Sequence, residues 1–500
     1  MKKHKPMHGT SKAKGCSHLS LGNFCELFGH EKPKLPSWAK DCNITQQCEA
    51  ERIAALLGGI GSIMHDTDGS SPDSSIPAGY TFFAQFVDHD ITLDTTTPLH
   101  GKELDSARIK KLPNLRSASL DLDCVYGFGP DASPFLYDQS QPGRLLVGSE
   151  VGGVSNPNDV PRNVVGRALI GDPRNDENIF VSQLQLMFLR FHNRRLVGRN
   201  FEEAQQDVRF HYQYIVLNDF LKRVCDKTIY DFALPKIIDN ARKDPDKRDY
   251  PFCNLLDNCH RICMPVEFSV AAYRFGHTMV RSVYPVNENN PAIELFDERF
   301  GTEGFGQVPP ELTVDWRFLL DVEKCFTFVN SKAIDHLLAD ELIRMPDPVV
   351  GRNAPANDRS LAFRNLLRSY VLGLPSGQRV AKALKDKGYP IDPKQDLKFD
   401  DIHGWACLGD DGDKIAKHTP LFFYLMREGG VINSGQKLGP VGSAILLEVF
   451  GNMLVHCDSF LKSKVAKGKY WEPDPCIAHK DGELTLRDIA HYVYDYKGCC

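Results

Sequence analysis

Residues 84–94 read AQFVDHDITLD, a histidine between two aspartates inside an otherwise largely apolar run. Phe82, Phe83, Phe86, Val87 and Ile91 surround the polar groups at helical spacing, which predicts a helix over Thr81–Thr92. Successive helical residues point about 100° apart, so Asp88, His89 and Asp90 face three different places. Gln85 and His89, four apart, share one face, and Asp88 flanks it. Asp90 turns toward a second partner. A buried carboxylate without a cation or several donors is costly, so the pattern asks for specific partners, as in a functional site.

A partner for Asp90 appears in RSASLDLDCVYG, where Ser117, Ser119, Asp121 and Asp123 recur at every second residue. An extended segment would turn all four to one side. Alternating hard oxygen donors suit calcium, which takes about 6–8 oxygen ligands. Asp90 supplies the remote carboxylate that such a loop needs.

Long helical patterns, irregular Gly/Pro/Asp-rich connections and little period-2 alternation predict a mainly α fold. A second helix is expected from about Asp176 through Phe180, Leu184, Met187, Phe188 and Phe191. A third should begin near Pro265 and carry Val266, Val270, Tyr273 and His277 along one face. The long connections 96–116, 128–160 and 284–315 have the length of loops that cover a site. Residues 1–50 read as a partly ordered arm, and residues 51–500 as one large domain with its core beginning near Glu51.

Several segments resemble, in order from about residue 30 to 460, the animal-type haem peroxidases, the superfamily of myeloperoxidase, peroxidasin and the cyclooxygenases. AQFVDHDITLD resembles their distal-helix signature and GDPRNDENIFVSQLQLMFLRFHNRRL their arginine-bearing segment. VEFSVAAYRFGHTMVRSVYPVN is similar to the proximal-histidine helix, and SLAFRNLLRSYVLGLPSGQ to the segment with the proximal asparagine. TPLFFYLMREGGVINSGQKLGPVGSAILLEVFGNML resembles the C-terminal region of bacterial members.

The resemblance implies a helical domain that binds haem b, reduces hydrogen peroxide and oxidises a small donor. It casts His89 as distal base with Gln85 beside it, Arg174 as distal arginine and His277 as iron ligand. Asn365 would accept the proximal imidazole's other N–H. Asp90, Ser117, Ser119 through its carbonyl, Asp121 and Asp123 would bind calcium. Arg274 and Arg368 would lie near the haem propionates or organise the proximal side. Asp88 and Glu177 stand where mammalian members form ester links to haem, so covalent attachment is chemically available.

The chemistry fits these residue types. A neutral imidazole can take a proton from one peroxide oxygen and return it to the other. A guanidinium stabilises charge on the departing oxygen without losing its own proton. A neighbour on the proximal imidazole orients it and sets its basicity. Gly276 leaves room for a flat macrocycle beside the backbone.

Two departures narrow the reading. Asn178 replaces the methionine that forms a sulfonium link in myeloperoxidase, so iodide, bromide, thiocyanate or phenols are expected donors rather than chloride. Cyclooxygenases carry a tyrosine three residues before the proximal histidine; that position is Arg274 here, and Tyr273 would lie about 100° round the helix. Fatty-acid dioxygenation is therefore the alternative, with a non-catalytic haem-binding protein as a third.

The remaining features set bounds. The chain has 500 residues, 42% hydrophobic and 25% charged, with net charge -5, which suits a packed globular protein and not a polyanion binder. The basic start MKKHKPMHGTSKAKG reads as a solvated arm, so no nucleic-acid partner is expected. Neither a signal peptide nor an apolar run of about 18 residues is apparent, so the expected location is cytoplasmic or non-classically secreted, without a membrane span. The cysteines number 15, so at least one cannot pair within the chain. Cys253, Cys259 and Cys263 with His260 could hold zinc, but lack a CxxC pair; buried or reduced thiols are the simpler reading. Cys499 and Cys500 resemble a doubly lipidated terminus only weakly.

Overall fold

The computed structural model describes residues 22–29, 34–244, 263–297, 304–323, 326–465, 468–479 and 482–496. The fold is mainly α, and the β structure among these residues consists of short pieces. The largest sheet has β1 (Gly22–Cys25), β2 (Pro113–Asn114) and β3 (Met264–Pro265), with β1 in the middle, antiparallel to β2 and parallel to β3.

The core starts earlier than Glu51. Phe24, Leu27, Phe28 and Trp38 are all buried, and a disulfide joins Cys25 to Cys263. Cys263 is therefore neither a reduced thiol nor a zinc ligand. Cys253, Cys259, His260, Cys499 and Cys500 lie outside the described residues, as does most of the basic start.

Helix α1 (Gln47–Gly58) precedes α2, Gly79–Ile91, which carries the DHD segment. Phe82 and Phe86, one turn apart on α2, stack on Phe180 and Phe188 of α3 (Ile179–Arg195), with ring centroids 4.6 and 4.8 Å apart. This aromatic seam fixes one face of α2 and leaves its polar groups to the others. Helix α3 starts later than expected because Asn178 caps it, accepting from the amides of Phe180 and Val181. The 173–176 segment before it is a separate 3-10 turn.

The proximal segment is not one helix. Val266–Ser269 makes a single α turn, the chain breaks at Ala271, and Ala272–His277 continues as a 3-10 helix. Arg274 secures the break, its Nε donating to the Ser269 carbonyl at 2.7 Å. Helix α4 (Leu361–Val371) packs on α1 and supplies Asn365. Among the described residues, no helix is long and apolar enough to cross a membrane.

Gly58 closes α1 where α4 begins. A Cβ there would lie 2.7 Å from the Phe363 amide nitrogen and 2.8 Å from the Ala362 carbonyl carbon, while Ser360 donates its hydroxyl to the Gly58 carbonyl. Gly58→Ala is expected to push α4 away at a cost of about 1–3 kcal/mol. Thermal denaturation should show a lowered Tm; an unchanged Tm would mean that this contact does not hold α4.

Candidate functional site

A cavity of about 300 Å3 lies between α2, the 3-10 helix ending at His277, and the start of α4. His89 and His277 both line it. Each imidazole is held through Nδ1 by an asparagine. His89 Nδ1 lies 2.7 Å from Asn175 Oδ1, and His277 Nδ1 lies 3.0 Å from Asn365 Nδ2. Neither Nε2 has a hydrogen-bond partner among the described residues. Burial, with Arg174 nearby, lowers His89 to about 4; burial and Arg274 lower His277 to about 3. Both rings are therefore neutral at pH 7.

The Asn365 contact has the opposite polarity to that expected, with the amide nitrogen toward the ring. A half-turn of the planar amide exchanges its nitrogen and oxygen and turns donation into acceptance. Asn175, at the other histidine, was missed from sequence because it sits beside the more conspicuous Arg174. Its oxygen can accept from Nδ1, leaving the Nε2 lone pair as the ring's basic site.

Arg174 lines the same cavity and is fixed on its other side. Its Nη2 donates to the carbonyls of His89 and Thr92, at 3.1 and 2.7 Å, and to Asp172 at 2.8 Å. Its Nε also reaches Asp172, at 3.1 Å. Asp172 is fully buried; burial would raise its pKa, but Arg174 overcomes this and holds it well below the carboxylate range. Nη1 has no hydrogen-bond partner among the described residues. Arg162 grips buried Asp176 through two contacts of 2.7 Å and so anchors the turn that presents Arg174 and Asn175.

Gln85 also lines the cavity, accepting from Asn178 Nδ2 at 3.2 Å and donating to Glu177 at 3.4 Å. Burial raises the Glu177 carboxyl. Asp88 lines the cavity too, accepting from Thr92 Oγ1 at 2.9 Å and Arg274 Nη1 at 3.3 Å. Arg368 is outside this cavity wall, paired with Asp94 around a smaller neighbouring pocket that it shares with Arg174 and Arg274. Tyr273 lines the cavity beside Arg274. Its hydroxyl is buried without a hydrogen-bond partner among the described residues.

On the opposite side of α2, oxygens of Asp90, Asp121 and Asp123 lie within 4.8 Å of one another. Ser117 and Ser119 hydroxyls donate to Asp121 at 3.0 and 2.8 Å. The loop is wound rather than extended: Ala118 and Leu122 have φ of 44° and 59°, and Asp123 begins a short helical turn. Asp90 Oδ1 is buried with no hydrogen-bond partner among the described residues. Burial, then Asp121 and Asp123, push the Asp90 carboxyl far above its usual range; burial and Asp121 raise Asp123 to about 8. Were all three ionised together they would need a cation, and an oxygen-only set is of the kind that could hold calcium.

The family model described as animal haem peroxidase matches residues 100–313. Over those residues the chain is similar to the animal haem peroxidases. The match includes Arg174, His277 and the 117–123 loop but neither His89 nor Asn365, which the fold alone brings to the cavity. Peroxidase A from Dictyostelium discoideum is similar in structure, with TM-score 0.54 and 15% identity over 87% of this chain and 86% of that one. The Oryza sativa fatty acid alpha-dioxygenase gives TM-score 0.54 at 16% identity, covering 82% of this chain and 74% of that one. The Arabidopsis thaliana fatty acid alpha-dioxygenase gives 0.56 at 15%, covering 85% and 71%. At such identities the likeness is one of fold. No curated protein matches.

The cavity residues would suit a haem. Val280, Leu295, Phe296, Leu342 and Met345 give an apolar wall, and Arg274 and Arg364 supply cations for carboxylates. A Cβ at Gly276 would stand 3.6 Å from Ala84 Cβ, so a larger side chain there would take up cavity space.

Asn175 Nδ2 also donates to Gln185 Oε1 at 2.8 Å, so one amide serves both His89 and Gln185. Asn175→Leu leaves two buried polar groups unpaired and is expected to cost about 1–3 kcal/mol. A chemical denaturation midpoint equal to wild type would contradict the assignment of Asn175 as the clamp on His89.

Proposed function

We propose that the protein is a haem-dependent peroxidase that reduces hydrogen peroxide and oxidises iodide, bromide, thiocyanate or small phenols. The observation that carries this reading is the pair of imidazoles on one cavity, each held at Nδ1 by an asparagine, with Arg174 beside His89. Haem, when bound, supplies the iron centre at which peroxide is reduced and the donor oxidised. His277 would hold it through Nε2, with Asn365 turned to accept the Nδ1 proton. Arg274 and Arg364 would balance its carboxylates, with Arg368 in the neighbouring pocket behind Arg274, and Asp88 and Glu177 are the carboxylates that could form ester links.

His89 takes a proton from one peroxide oxygen at Nε2 and returns it to the departing oxygen, while Asn175 keeps the ring in the required tautomer. Gln85, fixed by Asn178 and Glu177, positions a water or the peroxide beside it. Arg174 offers Nη1 to the departing oxygen. Asp90, Ser117, Ser119, Asp121 and Asp123 would hold calcium, which would neutralise the carboxylate cluster behind α2. The Cys25–Cys263 bond supports an oxidising compartment.

Fatty-acid oxygenation, the activity for which the two plant dioxygenases are named, has less support. A tyrosine oxidised at the site must lose its phenolic proton, and Tyr273 has no hydrogen-bond acceptor among the described residues.

Stopped-flow absorbance of the haem-loaded protein with hydrogen peroxide tests the reading. His89→Ala should slow the second-order reaction by about 10²–10⁴-fold and Arg174→Ala by about 10²–10³-fold. Because His89 titrates near 4, the wild-type rate should hold from neutral pH and fall as pH drops through about 4. The same titration affects stability: burial depresses the folded pKa, so stability is full above the unfolded value near 6.5 and declines between 6.5 and 4. Wild-type rates in both variants would refute the assignment, and fatty-acid-dependent oxygen uptake abolished by Tyr273→Phe would favour the dioxygenase.

A further inference from the structure

Arg116 lies between the carboxylate cluster and the distal arginine. Its Nη1 is 3.4 Å from Asp123 Oδ1, and its Nη2 is 2.5 Å from Asp172 Oδ2 and 3.3 Å from the Gly171 carbonyl. Asp172 is the residue that clamps the Arg174 guanidinium and caps the turn on which Arg174 sits. A continuous chain of charged contacts thus runs from Asp123 through Arg116 and Asp172 to Arg174. Arg116 is nearly buried, its side chain 11% exposed, and its Nε has no hydrogen-bond partner among the described residues. Its hydrogen bonding is therefore concentrated at the two ends of the guanidinium.

The backbone is tight at the same place. A Cβ on Gly171 would lie 2.4 Å from the Asp123 carbonyl oxygen and 2.6 Å from that of Cys124. The strand leading into Arg174 cannot move without moving the loop that ends in Asp123. A planar guanidinium spans two carboxylates; a point-charge ammonium reaches one well at a time.

We propose that Arg116 is a positioning residue that links cation occupancy at the Asp90, Asp121, Asp123 cluster to the placement of Arg174. The proposal rests on the haem peroxidase reading above. With the cluster neutralised by calcium, Asp123 is fixed and Arg116 holds Asp172 square to Arg174. Without the ion, the repelling carboxylates shift, Asp123 competes for Arg116, and the clamp on Arg174 loosens. A parallel chain exists on the other side: Gln185 Nε2 donates to the Cys124 carbonyl at 3.2 Å, and Gln185 is joined through Asn175 to His89. The test must separate the two.

The measurement is cyanide affinity of the haem-loaded protein, with calcium and after chelation, read from the visible spectrum. Coupled sites typically differ by about 5–150-fold, so calcium should tighten cyanide binding by about fivefold or more in wild type. In Arg116→Leu, cyanide binding should be weak and insensitive to calcium; Arg116→Lys should recover part of the affinity and part of the calcium response. In Arg174→Ala the calcium response should vanish, whereas its survival there would assign the coupling to the Gln185 chain and overturn the proposal. Should chelation unfold the protein, the reciprocal measurement decides: calorimetric calcium affinity must change by the same factor when cyanide is bound, and not in Arg116→Leu. An equal calcium effect in wild type and Arg116→Leu, or no calcium binding, refutes the role of Arg116 while leaving the peroxidase reading intact. Failure of the wild type to bind haem would instead refute that reading.

Discussion

A buried ionisable side chain must find a partner, and α2 buries Asp88, His89 and Asp90 in immediate succession. Because the helix sends them in three directions, one short element has to satisfy three separate demands at once. Asp88 meets Arg274 and Thr92, His89 meets Asn175, and Asp90 turns to Asp121, Asp123 and Tyr212. The stacked phenylalanines at Phe82 and Phe86 set the rotation of α2 that makes this division possible. Rotating the helix by one residue would offer each partner the wrong side chain.

The distal groups are consequently held from behind by ordinary structural parts. Arg162 fastens Asp176, Asp176 belongs to the turn that carries Arg174 and Asn175, and Asn178 ends that turn by capping α3 while holding Gln85. The Asn178 amide thus organises both the helix start and Gln85. On the proximal side, Gly58 and Ser360 set the start of α4 and so the reach of Asn365.

Much of this was legible in the residues. The three directions of the DHD segment follow from helical geometry, and Asp121 and Asp123 come close to Asp90. What the pattern missed has identifiable causes. The 117–123 loop reaches the same convergence by winding through left-handed Ala118 and Leu122, a backbone choice that neither side chain advertises. Val266–His277 reads as one amphipathic helix, yet Arg274 bonds the freed Ser269 carbonyl and stabilises the break. Asn175 and Asp172 are polar residues beside an arginine, indistinguishable in sequence from solvated neighbours. Cys25 and Cys263 are 238 residues apart, and only tertiary proximity pairs them.

The account depends most directly on His277 presenting a neutral imidazole to a haem in the cavity. His277→Gly removes the ring while leaving the 3-10 turn and Asn365 in place. Absorbance of the purified variant, before and after imidazole is added, reads this ligand alone. The account predicts little haem or a shifted Soret band without imidazole, and a wild-type-like spectrum once imidazole fills the space. A variant that keeps the wild-type haem spectrum with no added imidazole would contradict it.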